Sequence, residues 1–298
     1  MGEGFSHRLH PRVQERIRGG GEVALSLSSI SCKAQLKAPR MLVLGVEKIG
    51  KTCFAAGCTF EGGQLVAQGV NSPVILPMKG EEGIDDLEVS AFPTLTTYED
   101  VLDALGVLYT EHHEYKTVVL DSASAFEPLV WDHLCKTNSV DSIDKVMGGY
   151  GKGYGESANL FRRLTDALDA LRQERNMASV IVGHVKVRRF DDPGGDSYDQ
   201  YQFDIHEKSA NLLMRWADLI LFCNNKVAVK REDVGFRKEK KRGIDVGGGN
   251  RFLYTKKSPA HPGGGRGVYG RLPHEMPLSW GAFETAVSNA IAGGKSVG

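Results

Sequence analysis

Met41-Leu-Val-Leu-Gly45-Val-Glu-Lys-Ile-Gly50-Lys51-Thr52-Cys53-Phe-Ala-Ala56 is the most informative run in this 298-residue chain. Met41 to Leu44 have the continuous apolar character of a short buried strand, and Cys53 to Ala56 read as helix. Between them stands Gly-x-x-x-x-Gly-Lys-Thr, the form of a phosphate-binding loop, in the strand–loop–helix setting that gives the pattern a mechanism. The glycines let successive backbone N–H groups point inward at phosphates, while the helix start adds its positive dipole end. Gly45, Val46, Glu47, Lys48, Ile49, Gly50, Lys51, Thr52 and Cys53 are therefore expected to hold ATP. Lys51 would contact the β- and γ-phosphates, and Thr52 would offer its hydroxyl to Mg2+. A chain with 36 glycines can match such a motif by chance, but the flanking strand and helix make that reading the weaker one.

Outward from the loop, further apolar runs occur at Val74–Leu76, Val118–Leu120, Val180–Val182 and Leu219–Phe222, each the length of a buried strand. Between them, Tyr98, Val101, Leu102, Leu105, Leu108 and Tyr109 recur at helical spacing, as do Leu160, Phe161, Leu164, Leu168 and Leu171. Strands alternating with amphipathic helices predict an α/β fold with a mostly parallel sheet flanked by helices. Ligands on such sheets bind at the carboxyl ends of the strands. Residues 185–207, 234–250 and 262–267 read as loops, and a last helix is expected from Trp280 to Ala292. The chain divides into a flexible extension (1–25), a core domain (26–280) and a C-terminal helix and tail (281–298).

Three further residues complete a phosphate site on paper. Thr117-Val-Val-Leu-Asp121-Ser122 is an apolar strand ending in a carboxylate, the form that holds Mg2+ together with the loop threonine; Asp121 could instead cap the next helix. Hydrolysis needs a group that activates water, and Asp121 is followed by Ser rather than Glu. Glu81, in Val74-Ile-Leu-Pro-Met-Lys-Gly80-Glu81-Glu82-Gly83, would serve if its strand adjoined the loop strand. His184, ending Val180-Ile-Val-Gly183, can touch a γ-phosphate, although a lone histidine is more often structural.

Net charge is zero, from 37 Lys and Arg against 37 Asp and Glu, but the charges are unevenly placed. Residues 80–103 carry eight acids and no base, whereas 226–257 carry eleven bases and four acids. Such a basic block serves a polyanion or is a solvated face. Lys186, Arg188 and Arg189 lie near Phe190, Tyr198, Tyr201 and Phe203, and cations interleaved with aromatics suit single-stranded nucleic acid. The five cysteines, at 32, 53, 58, 135 and 223, show no Cys-x-x-Cys spacing, which fits a reducing cytoplasm better than a disulfide framework or a zinc site. No apolar run approaches the roughly 20 residues that span a bilayer, and no secretory leader is evident. A cytoplasmic location with no membrane partner is expected.

In order along the chain, Tyr150-Gly-Lys-Gly-Tyr154, Gly183-His-Val-Lys-Val-Arg-Arg-Phe-Asp-Asp-Pro193, Trp216-Ala-Asp218, Gly235-Phe-Arg-Lys-Glu-Lys-Lys-Arg-Gly243, Tyr254-Thr255 and Leu272-Pro273 join the loop motif. Together they resemble the phage-encoded RecA-like nucleotide-binding proteins, the group that includes single-strand annealing recombinases. The resemblance runs from about Ser26 to Trp280. It implies a RecA-like P-loop NTPase core, slow DNA-stimulated ATP hydrolysis, and catalytic roles for Lys51, Glu81, Asp121 and His184. The resemblance places His184 where RecA-like ATPases carry the residue that links γ-phosphate to the DNA-binding loops. One such loop would be Tyr150–Gly155 with Lys152, and the other would follow His184.

Single-stranded DNA, a homo-oligomeric ring or filament in the host cytoplasm and a single-strand DNA-binding protein are the partners this implies. The Pro-Met-Lys-Gly link before Glu81 is longer than in many relatives, which leaves Glu82 as an alternative acid. Gly263-Gly-Gly265-Arg266 stands where relatives carry a lysine that reaches a neighbour's ATP, which makes Arg266 a nucleotide-binding candidate. A monomeric P-loop switch in phage replication or packaging, a small-molecule kinase, and an annealer with a vestigial ATPase are the rival readings.

Overall fold

Residues 40–45 form β1 (Arg40–Gly45), whose alternate side chains enter two different cores: Met41 and Val43 one, Leu42 and Leu44 the other. A strand without polar alternation has to be covered on both faces, which places it inside a parallel sheet. The computed structural model describes residues 36–81, 83–192, 194–233, 239–245 and 250–294. The expected N-terminal extension, Glu82, parts of 234–250 and the end of the tail lie outside the described residues.

β1 pairs in parallel with β7 (Ala178–Phe190) on one side and β9 (Leu219–Asn225) on the other. Beyond β7 follow β6 (Thr117–Asp121), β4 (Pro73–Pro77) and β5 (Ser90–Ala91), all parallel. Beyond β9, β12 (Arg251–Tyr254) and β14 (Glu275–Pro277) add antiparallel strands. The order is therefore β14-β12-β9-β1-β7-β6-β4-β5, a mostly parallel mixed sheet. All five apolar runs read as strands lie in it. The strand before Glu81 does not adjoin the loop strand, however: β7 and β6 stand between β4 and β1.

Helices α2 (Tyr98–Thr110), α3 (Ala123–Asn138), α4 (Lys152–Glu174) and α5 (Glu207–Trp216) cover one face, with Phe126, Phe161 and Leu213 fully buried. α2 starts where Thr97 and Asp100 bond reciprocally in a capping box. α3 starts on Ser122, whose side chain accepts from the Ala125 N–H at 3.3 Å. Ser122, and not Asp121, is thus the cap, which leaves the aspartate free for the site. The other face is covered by the five-residue α1 (Lys51–Ala55) and by α6 (Trp280–Gly294), whose Trp280 and Phe283 rings lie 5.3 and 5.6 Å from Phe54. A hairpin of β2 (Thr59–Glu61) and β3 (Gln64–Ala67) leads from α1 to β4.

Two segments read as loops are ordered. β7 runs on past the sheet, and its outer part pairs with β8 (Tyr198–Phe203) from Val185↔Phe203 to Phe190↔Tyr198. In the expected loop Tyr150–Gly155, Lys152 to Gly155 already form the first turn of α4, and Tyr150 before it is 98% exposed. β10 (Val227–Asp233) and β11 (Glu239–Asp245) form a separate hairpin within the basic block. β13 (Gly264–Gly265) pairs with the start of β9. Among the described residues no helix is long and apolar enough to cross a membrane.

Candidate functional site

The phosphate loop leaves the sheet at Gly45, which faces Cys223 on the neighbouring strand. A Cβ at Gly45 would lie 2.5 Å from the Cys223 carbonyl oxygen, so only glycine lets β1 and β9 stay paired up to the point where the loop begins. Lys48 and Gly50 take positive φ, 56° and 101°, and these two left-handed residues curl the loop back over the end of the sheet. Lys51 is buried, with Nζ donating to the carbonyls of Gly45 (3.1 Å) and Val46 (2.8 Å). Burial lowers its pKa, opposed mainly by nearby acidic groups.

The loop, β4, β6 and β7 bring Lys51, Thr52, Glu81, Asp121 and His184 into one cluster. Thr52 Oγ1 donates to Asp121 Oδ2 at 2.7 Å. Burial pushes the Asp121 carboxyl up to about 6, against the pull of the Thr52 bond. A hydroxyl and a carboxylate at this separation are hard oxygen donors of the kind Mg2+ takes, with phosphate and water oxygens filling its remaining positions.

Glu81 reaches the cluster although β4 is not next to β1. After β4, Met78 N–H bonds the Asp121 carbonyl at 2.8 Å, Gly80 turns at φ 93°, and Glu81 N–H closes on the Met78 carbonyl at 3.0 Å. The long Pro-Met-Lys-Gly link is thus the turn that swings Glu81 back across the end of β6. There its Oε1 accepts from Ser122 Oγ at 2.6 Å and from His184 Nε2 at 3.0 Å. Burial alone would raise the pKa of Glu81, but the bonds from His184 and Ser122 outweigh it and hold the carboxyl below its ordinary value.

An ionised carboxylate only accepts, so the proton of a neutral His184 sits on Nε2. Nδ1 then turns its lone pair toward Lys51 Nζ, 3.4 Å away. The His184 backbone N–H is held by Ser124 Oγ at 3.1 Å. The result is a chain Lys51–His184–Glu81–Ser122 across the mouth of the loop. It can hold a water against an acceptor-only carboxylate while a lysine faces the phosphates.

His184 also opens the outer part of β7, where the strand's period of two sorts the basic-aromatic residues. Lys186, Arg188 and Phe190 share one face with Gln202, Gln200 and Tyr198 opposite them. Arg189 and Tyr201 fall on the other face, where the Tyr201 ring packs 5.2 Å from Phe222 of the core. The expected set of seven is therefore split: Lys186, Arg188, Phe190 and Tyr198 share one face, and Arg189, Tyr201 and Phe203 the other. Lys186 and Arg188, together with Tyr201 and Phe203, line a cleft of about 760 Å³ that also takes in Glu127, Trp131, Tyr154 and His206. Lys186 pairs with Asp204 at 2.5 Å, and the Tyr154 and His206 rings stack at 4.2 Å. Lys152 lies on the first turn of α4, two residues before Tyr154.

Arg266 is far from the phosphate loop of its own chain. β13 pairs with Leu219 and Ile220, at the amino end of β9, whereas the loop sits at the carboxyl end of β1. Arg266 there bonds the Arg215 carbonyl and lies 3.9 Å from Asp218, which also pairs with Arg40 and Arg172. The basic group that does reach the loop is Arg251, which the sequence reading passed over. Its Nη1 donates to the Ile49 carbonyl at 3.2 Å, and its guanidinium lies 5.7 Å from the Phe60 ring centroid. Its place follows from the β12–β9 register, which no local pattern announces. Ser122 and Ser124 were likewise missed, although their position just after the carboxylate was a usable signal.

A family model described as an AAA domain matches residues 37–267. No curated protein matches the chain.

Proposed function

The chain belongs to the AAA domain family and is a nucleotide-binding P-loop ATPase, and from that premise we propose that it couples slow, DNA-stimulated ATP hydrolysis to annealing or strand exchange on single-stranded DNA. In this reading Lys51 and the loop amides hold the phosphates, and Thr52 with Asp121 holds Mg2+. Bound Mg2+ would neutralise charge on the phosphate oxygens. Glu81 accepts the proton of the attacking water, and Ser122 and His184 aim its carboxylate.

The observation that supports the coupling is the position of His184. One ring nitrogen bonds Glu81 and the other faces Lys51. Lys186 and Arg188 stand two and four residues further along the same strand. A change at the γ-phosphate therefore has a rigid element along which to reach the basic-aromatic face. Cations on that face would follow the phosphates of a single strand, and Phe190 and Tyr198 would stack on its bases. A phage setting, a homo-oligomeric ring or filament, host-cytoplasmic location and cooperation with a single-strand DNA-binding protein belong to the same proposal. So does contact between the acidic 80–103 segment of one copy and the basic 226–257 block of the next. Arg266 would act only across such an interface.

The test is ATP hydrolysis measured with and without single-stranded DNA, beside light scattering for assembly. Stimulation by DNA, with DNA affinity falling steeply as salt rises, is the expected result. Hydrolysis indifferent to DNA, together with phosphate transfer to a small acceptor, would refute the proposal in favour of a kinase.

A further inference from the structure

The helix after the phosphate loop is five residues long, and the way it ends brings two thiols together. Gly57 takes φ 72° and its N–H donates to the Phe54 carbonyl at 3.0 Å, while the next N–H, of Cys58, donates to the Cys53 carbonyl at 3.0 Å. This nested pair of bonds around a left-handed glycine is a Schellman ending, in which the side chains of the two residues joined by the outer bond meet. Those residues are Cys53 and Cys58, so the ending of the helix sets their two side chains against each other. Both are free cysteines; Cys58 is buried and Cys53 is partly exposed. The turn favours glycine: its φ is left-handed, and a Cβ at Gly57 would lie 2.2 Å from Asn71 Oδ1 and 2.9 Å from the Val70 backbone nitrogen. The two thiols are therefore held in register by the backbone.

We propose that Cys53 and Cys58 are a thiol pair that closes to a reversible disulfide under peroxide and thereby weakens nucleotide binding at the adjacent loop. The second half of this rests on the loop being the ATP site. Peroxide meets Cys53 first, since Cys58 is buried. The Cys53 sulfur takes one peroxide oxygen, becoming a sulfenic acid as the O–O bond breaks and one water leaves. The Cys58 sulfur then attacks Cys53 Sγ, the S–O bond breaks, and a second water leaves. Two thiols and one peroxide thus give one disulfide and two waters, and a dithiol reductant reverses the change.

Closing the bond ties the first turn of α1 covalently to the residue after its end, and the two side chains must move to make it. A helix of five residues offers little length over which to absorb that movement. Cys53 directly follows Thr52, so the strain falls on the hydroxyl that bonds Asp121 and on the amides at the loop's end.

The experiment uses the full chain, reduced or treated with hydrogen peroxide. Trypsin leaves both cysteines in one peptide, Thr52–Lys79, which is expected to lose two hydrogen atoms on oxidation and regain them with reductant. Binding of a fluorescent ATP analogue is expected to fall by about ten- to a hundredfold on oxidation, the loss of one or two charge-assisted hydrogen bonds, and to recover on reduction. Cys58→Ser should bind the analogue when reduced and keep that affinity after peroxide. If the disulfide does not form, or forms without changing affinity, the switch is overturned. A reduced chain that binds no nucleotide overturns the reading of the loop, and the switch with it, whatever the peptide mass shows.

Discussion

Replacing Glu127 by glutamine should stabilise the protein at neutral and alkaline pH and have much less effect in acid. Glu127 is buried on α3 beneath the basic-aromatic cleft, 6% exposed, with both carboxylate oxygens accepting from the His206 N–H at 2.9 and 3.0 Å. Burial pushes its carboxyl from an ordinary value of 4.5 up to about 7, opposed by the His206 bond and by Lys186. Because the folded pKa is the higher one, its contribution to stability is complete below the unfolded value and is lost as pH rises through the folded value. Between about pH 5 and pH 8 the folded state gives up nearly 2 pH units' worth of this preference, roughly 2.5 kcal/mol.

Glutamine has no proton to lose and keeps one oxygen for the His206 N–H. The variant's stability relative to the parent should therefore rise by roughly 2.5 kcal/mol over that range. Urea denaturation at a series of pH values measures it. A stability difference that stays flat from pH 5 to pH 8 would refute the reasoning, since the carboxyl would then not be held protonated by burial.

Glu81→Gln should slow single-turnover ATP hydrolysis by about 10²- to 10⁴-fold while leaving the binding of a fluorescent ATP analogue nearly unchanged; equal losses in both would make Glu81 a binding group. Phe190→Ala should weaken single-stranded DNA binding by about 1–3 kcal/mol in fluorescence anisotropy. Tyr201→Phe, which keeps the ring against Phe222, should leave it unchanged, and the reverse ranking would contradict the assignment of faces. Gly57→Ala should lower stability by about 1–3 kcal/mol, from its φ of 72° and the 2.2 Å approach to Asn71 Oδ1. Thermal melting reads this directly, and an unshifted midpoint would mean that the end of α1 is not held as described.

The parts of the site that were legible in advance are those written in consecutive residues. The phosphate loop spans Gly45 to Thr52, and a strand, a turn and a helix start in that order fix its geometry from within. Asp121 was legible for a similar reason, since an apolar run ending in a carboxylate puts that carboxylate at the carboxyl edge of a buried strand. The strand order was not. That β7 lies between β1, which leads into the loop, and the strand of Asp121, and that two strands separate β4 from β1, comes from pairings between segments far apart in sequence, which local pattern does not encode. The same long-range register brings Arg251 to the Ile49 carbonyl and holds Arg266 at the opposite end of the sheet.

The basic-aromatic segment lies between these cases. Its composition was plain in the sequence, but read as a loop it offered seven equivalent residues. As a hairpin it offers two faces, because a strand turns alternate side chains to opposite sides. Sequence alone therefore determined that a phosphate site with a lysine, a threonine and an aspartate should exist, for each depends on its immediate neighbours. Only the tertiary structure decided that Glu81, Ser122 and His184 share one hydrogen-bonded chain with Lys51, because that chain is assembled from four strand ends that meet only when the sheet is complete.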